Sequence, residues 1–211
     1  MPQAVTFFIA VAVGGLLVRE ARERSRAALF WKCSASFGFV ALALSAGALR
    51  HGAAPRIVVV GLALAACGDV ALALPGPRAF FAGLALFLLG HVAYVRAFAE
   101  LVPIAKWPSV WSFIPVVATV AAYRWLAPHL GSMKGPVIAY MATITVMVIG
   151  ALAVERAGAV HALRLFTGAL LFYLSDLSVA RDRFVARRFV NRAWGLPAYY
   201  AAQVLFAWAT A

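Results

Sequence analysis

Four ionisable side chains lie where the sequence is otherwise apolar: Lys32, Asp69, His91 and Asp176. Two carboxyls and an imidazole are the groups that move protons in general acid–base chemistry, and an ammonium can hold a phosphate. A charged group at the middle of a bilayer-spanning helix costs roughly 2.5–3.5 kcal/mol to insert. Each of these residues therefore needs either a bonded structural partner or a chemical task. Tyr199, Tyr200 and Gln203 add hydroxyl and amide groups within the last apolar run. Glu100 and Arg96 sit close enough to the end of a run to reach water. His51, His91, His129 and His161 are not spaced as metal ligands, and Cys33 and Cys67 lie inside apolar runs, where they read as packing residues. No Gly-x-Ser-x-Gly turn marks a serine nucleophile. The residues thus suggest carboxyl chemistry without a metal or cofactor.

The elements that must position these groups follow from composition. Of 211 residues, 65% are hydrophobic and 12% charged, about half the charged fraction of an ordinary soluble domain. Apolar runs fall at about 3–18, 28–49, 56–74, 79–101, 108–126, 135–153, 160–180 and 193–210. A bilayer-crossing helix needs about 20 such residues, and lipid cannot satisfy open backbone groups, so helices are the expected form. The fold class is all-α: a polytopic membrane helix bundle of about eight transmembrane helices, forming a single transmembrane domain over 1–211. Met1–Thr6 contains no Lys or Arg, so the first run is expected to be a retained span rather than a secretory leader. Gly61, Ala65 and Gly68, with Gly83 and Gly90, read as close-packing positions between helices.

The net charge of +12 does not indicate a nucleic-acid partner. Its arginines lie in short gaps between apolar runs, where anionic lipid headgroups are the natural partners. Odd-numbered connections carry twelve Lys and Arg against six in the even ones. This places the odd connections in the cytoplasm and both termini on the opposite side; in a bacterium the membrane would be the inner one. Asp69 and Asp176 each lie about one turn from the odd-side end of their spans, and Lys32 about one turn into its own. His91 is some twelve residues in, about 18 Å at 1.5 Å per residue, near the midplane. All these groups share the half of the bilayer beneath the arginine-rich rim, or the midplane itself, which suggests one polar pocket open toward the basic face. Plainer readings stay open: Lys32 snorkelling to the headgroups, His91 as a hydrogen-bonded packing residue, and Tyr199 and Tyr200 as an interfacial belt. Arg181, Asp182 and Arg183 read as local solvated pairs.

The stretch Cys67-Gly68-Asp69-Val70-Ala71-Leu72-Ala73-Leu74-Pro75 resembles the Gly-Asp segment of the YhhN family of membrane proteins. Gly90-His91-Val92-Ala93-Tyr94 is similar to its Gly-His-x-x-Tyr span. Ser175-Asp176 and the following Arg181-Asp182-Arg183-Phe184 resemble its Ser-Asp segment, and Tyr199-Tyr200-Ala201-Ala202-Gln203 its Tyr-x-x-Gln span. Lys32 stands where the family has a lysine, with Cys33 in place of a common proline. The resemblance covers nearly the whole chain. It implies a lysoplasmalogenase-like ether hydrolase, cleaving the vinyl ether of a lysophospholipid to a fatty aldehyde and a glycerophospho-base. The expected catalytic residues are Asp69, Asp176 and His91, and the expected substrate-binding ones Lys32, Tyr94, Arg181, Arg183, Tyr199, Tyr200 and Gln203.

That chemistry suits the residues. Vinyl ether hydrolysis begins with protonation of the outer alkene carbon, so a general acid is what a site must supply. A second, ionised carboxylate would stabilise the oxocarbenium ion, as carboxyl pairs do in glycoside hydrolysis. The residues do not say which aspartate is which. The rival expectation is a proton-coupled carrier, since intramembrane aspartates, a histidine and a lysine also suit that task. Against it, the polar groups cluster toward one side, and spans 5 and 6 carry almost no ionisable residues.

Overall fold

The computed structural model describes residues 2–22 and 26–211. Arg24, one of the basic residues counted in the odd-numbered connections, and the side chains of Arg22 and Arg26 lie outside the described residues. The described residues form eight α-helices: α1 Pro2–Arg22, α2 Arg26–Ser45, α3 Ala53–Ala73, α4 Pro77–Leu101, α5 Phe113–Leu126, α6 Lys134–Arg156, α7 Ala162–Ala180 and α8 Phe189–Trp208. Seven helical segments are long and apolar enough to cross a bilayer, so the protein is an integral membrane helix bundle. The exception is α8, which carries Asn191, Arg192, Tyr199, Tyr200 and Gln203. It nevertheless packs lengthwise, against α7, α2, α1 and α3, and Asn191, Tyr199, Tyr200 and Gln203 lie on its buried side.

Helix starts and stops follow local chemistry. Gly52 and Gly76 precede α3 and α4 with φ of 99° and 102°, values that strain any residue with a Cβ. Pro77 then opens α4, where its missing N–H costs nothing. Pro197 lies inside α8 and leaves the Ala193 carbonyl without its helical donor. A single π-helical turn, Arg181–Val185, ends the α7 segment.

Neighbour packing closes a ring in the order α1, α2, α3, α4, α6, α7, α8 and back to α1. Helix α5 is left outside, beside α6, with almost all of its surface exposed. Thr119 pins it to the ring, bonding Thr145 at 2.6 Å and Tyr173 at 3.1 Å. The α3–α4 pair is the most intimate, and small residues make it so. A Cβ on Gly61 would lie 2.6 Å from the Tyr94 ring, and one on Gly68 would lie 2.9 Å from Phe87. Glycine there lets α3 approach the bulky face of α4, the close packing expected in lipid. At the odd-connection end, Arg192 of α8 pairs with Glu20 of α1 at 3.1 Å, and the Arg183 guanidinium lies 4.2 Å from the Phe80 ring centroid. The seventh connection thus reaches the first turn of α4. Asp182 does not pair with its neighbouring arginines, as the sequence suggested. It accepts the Arg188 backbone N–H at 3.0 Å and the Asn191 side-chain amide at 3.2 Å, so its carboxylate shapes the connection itself.

Candidate active site

Lys32 and Ser36 are one turn apart on α2 and project from the same face. Asp69 meets them from α3, and Tyr199 and Tyr200 from α8. Lys32 Nζ is 3.3 Å from Asp69 Oδ1. The Ser36 hydroxyl donates to Asp69 Oδ2 at 2.6 Å, and the Tyr199 hydroxyl donates to the same oxygen at 2.7 Å. Ser36 Oγ also lies 3.1 Å from the Tyr200 hydroxyl. Asp69 is 2% exposed. A buried carboxylate surrounded by a cation and two donors is a satisfied anion.

A second group forms from α4, α6 and α7. Tyr140 of α6 donates its phenol proton to Asp176 Oδ2 at 2.9 Å. His91 Nε2 of α4 stands 3.4 Å from that same oxygen. His91 Nδ1 is 2.7 Å from the Phe87 carbonyl; a carbonyl only accepts, so Nδ1 carries the hydrogen and Nε2 of the neutral ring is a lone pair. His91 is fully buried, and its Nε2 makes no hydrogen bond of proper geometry. An unpaired buried acceptor costs about 1–3 kcal/mol. The Asp176 side chain is 18% exposed, and the hydrogen bond it receives falls on Oδ2, so Oδ1 is the oxygen left for a reactant.

Tyr94 and Gln203 make a third, deeper pair, with the phenol donating to Oε1 at 2.8 Å; Gln203 Nε2 has no partner. Phe172 lies among the three groups. Its ring centroid is 4.4 Å from that of His91, 5.5 Å from Tyr199 and 6.3 Å from Tyr94. The single polar pocket expected from depth is therefore subdivided by aromatic rings. Asp69 gathers Lys32, Tyr199 and Tyr200, while Asp176 gathers His91. Arg181 and Arg183 stand at the rim in the turn that follows Asp176.

Three participants were not singled out in the sequence. Ser36 carried a signal, four residues after Lys32 on the same helical face. Phe172 is likewise one turn before Asp176. Tyr140 sits on a span that looked chemically empty because it lacks charges; its phenol is invisible to a search for charge.

Two openings lie beyond the site residues themselves. A cleft of about 380 Å³, lined by His51, Val58, Phe98, Glu100, His161 and others, lies at the even-connection end, away from both aspartates. A shallow apolar groove of about 210 Å³ runs between α4 and α6, lined by Val92, Val95, Ala142, Thr143 and Val146. Among the described residues no cluster of His, Cys, Asp or Glu is placed to hold a metal ion.

The sequence pattern described as the YhhN family matches residues 27–210. The chain is 33% identical over 214 residues to a bovine protein named lysoplasmalogenase TMEM86A, covering 98% of this chain and 87% of that one. It is 33% identical over 180 residues to the lysoplasmalogenase of Mycobacterium bovis, covering 79% of this chain and 65% of that protein. Human lysoplasmalogenase TMEM86A is 32% identical over 214 residues, with 98% and 87% coverage. No solved structure matches the chain.

Proposed function

We propose, from the premise that this chain belongs to the YhhN family, that it is a lysoplasmalogenase acting as one membrane domain. It hydrolyses the vinyl ether of a lysophospholipid to a fatty aldehyde and a glycerophospho-base. The observation that supports this most directly is the His91–Tyr140–Asp176 group: a carboxyl with one oxygen left open, held among apolar and aromatic side chains. A carboxyl is a general acid within reach of a bound alkene, and proton transfer to carbon is the slow step of vinyl ether hydrolysis. Asp69 supplies the second, ionised carboxylate, held by Lys32.

The arrangement also suits the shape of a single-chain lipid. Arg181 and Arg183 stand at the basic rim, where a phosphate headgroup sits. The Asp176 carboxyl lies one turn below. The α4–α6 groove lies deeper on the same two helices that carry His91 and Tyr140: Val95 is four residues past His91 and Val146 six past Tyr140, about 6 and 9 Å at the helical rise. Headgroup, ether bond and alkenyl chain thus meet rim, carboxyl and groove in order. Lys32, Tyr94, Tyr199, Tyr200 and Gln203 hold the opposite wall through Phe172. Incubating the purified protein with alkenyl lysophosphocholine or lysophosphoethanolamine, under exhaustive chelation, should release fatty aldehyde and the glycerophospho-base in equal amounts. No aldehyde from either lipid would overturn the assignment and favour a carrier; loss on chelation with recovery on adding zinc would overturn the carboxyl mechanism.

The odd connections face the cytoplasm in this proposal, as their arginine excess implies. In a background lacking Cys33 and Cys67, Arg187→Cys should be shielded from a membrane-impermeant thiol reagent in intact cells. Ala157→Cys, in an even connection, should be labelled. The reverse pattern would invert the orientation and leave the shared depth of the site residues intact.

A further inference from the structure

We infer that Asp176 is the proton donor and that His91 is the residue that keeps the proton on it, by accepting a hydrogen bond from the neutral carboxyl at Nε2. The inference rests on the lysoplasmalogenase reading only for the identity of the substrate, since the placement of the proton follows from bonding geometry.

The Phe87 carbonyl 2.7 Å from His91 Nδ1 fixes the hydrogen on that nitrogen. Nε2 then presents a lone pair to Asp176 Oδ2, 3.4 Å away. Two lone pairs facing each other repel, so a proton belongs between them. Two states supply one: a neutral acid beside a neutral imidazole, or a carboxylate beside an imidazolium. The second would place a full charge on a ring that has no exposed surface, and burying two separated charges costs more than their attraction returns unless both are well solvated by donors. Asp176 has a single donor, Tyr140. The neutral pair is the state that fits. Asp69 is the opposite case. It has Lys32 as a cation and Ser36 and Tyr199 as donors, the surroundings of a paired and hydrogen-bonded anion. The two carboxyls therefore divide the work: Asp176 holds a proton and Asp69 holds a charge.

The reaction then balances without a co-reactant other than water. The torsion that swings an aspartate carboxyl is soft and two-fold, so rotation presents the O–H on the exposed side of Asp176. The alkene π pair takes that proton to form a C–H bond at the outer vinyl carbon, and the O–H electron pair stays on the carboxylate. An ether oxygen lone pair completes the oxocarbenium ion. Water adds to its carbon and loses a proton to Asp176, which restores the acid. The hemiacetal collapses to aldehyde and the glycerol hydroxyl. Throughout, Nδ1–H stays on the Phe87 carbonyl, so His91 is a positioning residue and Asp176 the catalytic one.

Infrared spectra of the purified protein at neutral pH test this without any substrate. The parent should show the carbonyl stretch of a protonated carboxylic acid, sensitive to exchange into heavy water. Asp69→Asn should keep the band and Asp176→Asn should lack it. In His91→Phe, which removes the acceptor, the band should no longer stand at its parental position. If Asp176→Asn does not fold, Asp176→Glu keeps an acid and should displace the band instead. No band in the parent, a band unmoved by both Asp176 variants, or one lost only in Asp69→Asn would overturn the assignment. Because the readout needs no lipid, its failure is separate from failure to release aldehyde.

Discussion

Asp176→Asn should lower turnover of lysoplasmalogen by about 10²–10⁴-fold, the usual loss on removing a general acid, in a protein that still inserts and folds. Asparagine keeps the size of aspartate and can still accept the Tyr140 hydrogen bond seen at 2.9 Å. It has no acidic proton to give to carbon. The loss should fall on kcat more than on KM, since the proton moves only on the way to the transition state. Expression and thermal stability should match the parent, because a neutral amide replaces a carboxyl that makes no ion pair with Lys or Arg. If both aspartates serve one reaction, the Asp69→Asn/Asp176→Asn double variant should be little slower than the slower single one. A folded Asp176→Asn protein with near-parent turnover at saturating lipid would remove the carboxyl from the mechanism.

Lys32→Met should have a different signature, read in stability. The Lys32 and Asp69 side chains are 16% and 3% exposed and lie 3.3 Å apart. Removing one partner of a buried pair leaves an uncompensated charge, at a cost of about 3–5 kcal/mol. The melting temperature of the purified protein should fall accordingly. Adding Asp69→Asn should restore most of it, since replacing both charges of a buried pair with neutral groups is often neutral or stabilising. If Lys32 only snorkels to the headgroups, the single variant would melt as the parent does and the second substitution would restore nothing. Activity separates the two effects: the rescued double variant should be stable yet slow, because the second carboxylate of the site is gone.

The sequence gathered the charged site residues toward one end of the bundle but misjudged their relative depth: Asp176, expected about one turn in, and His91, expected about 18 Å in, lie 3.4 Å apart. A helix rises 1.5 Å per residue, and the π-helical turn carries the α7 segment on to Val185, so Asp176 lies farther from its end than a stop at Ala180 implied. The close approach of α3 and α4 was legible, because Gly61 and Gly68 leave room that lipid cannot favourably fill. Direction around each helix axis was not. The same depth is compatible with one shared pocket or with two, and side-chain packing alone decides between them. Phe172 and Tyr199 fill the space between the aspartates, so Asp69 faces a lysine and Asp176 faces a histidine. Exclusion of α5 from the ring is likewise a property of packing, since its apolar run reads like the others and only the α4–α6 contact makes it peripheral. The α6–α7 contact carries Tyr140 to Asp176. In apolar surroundings hydropathy favours no face of a helix, so the assignment of partners rests on hydrogen bonds and shape, which become definite only when the helices are assembled.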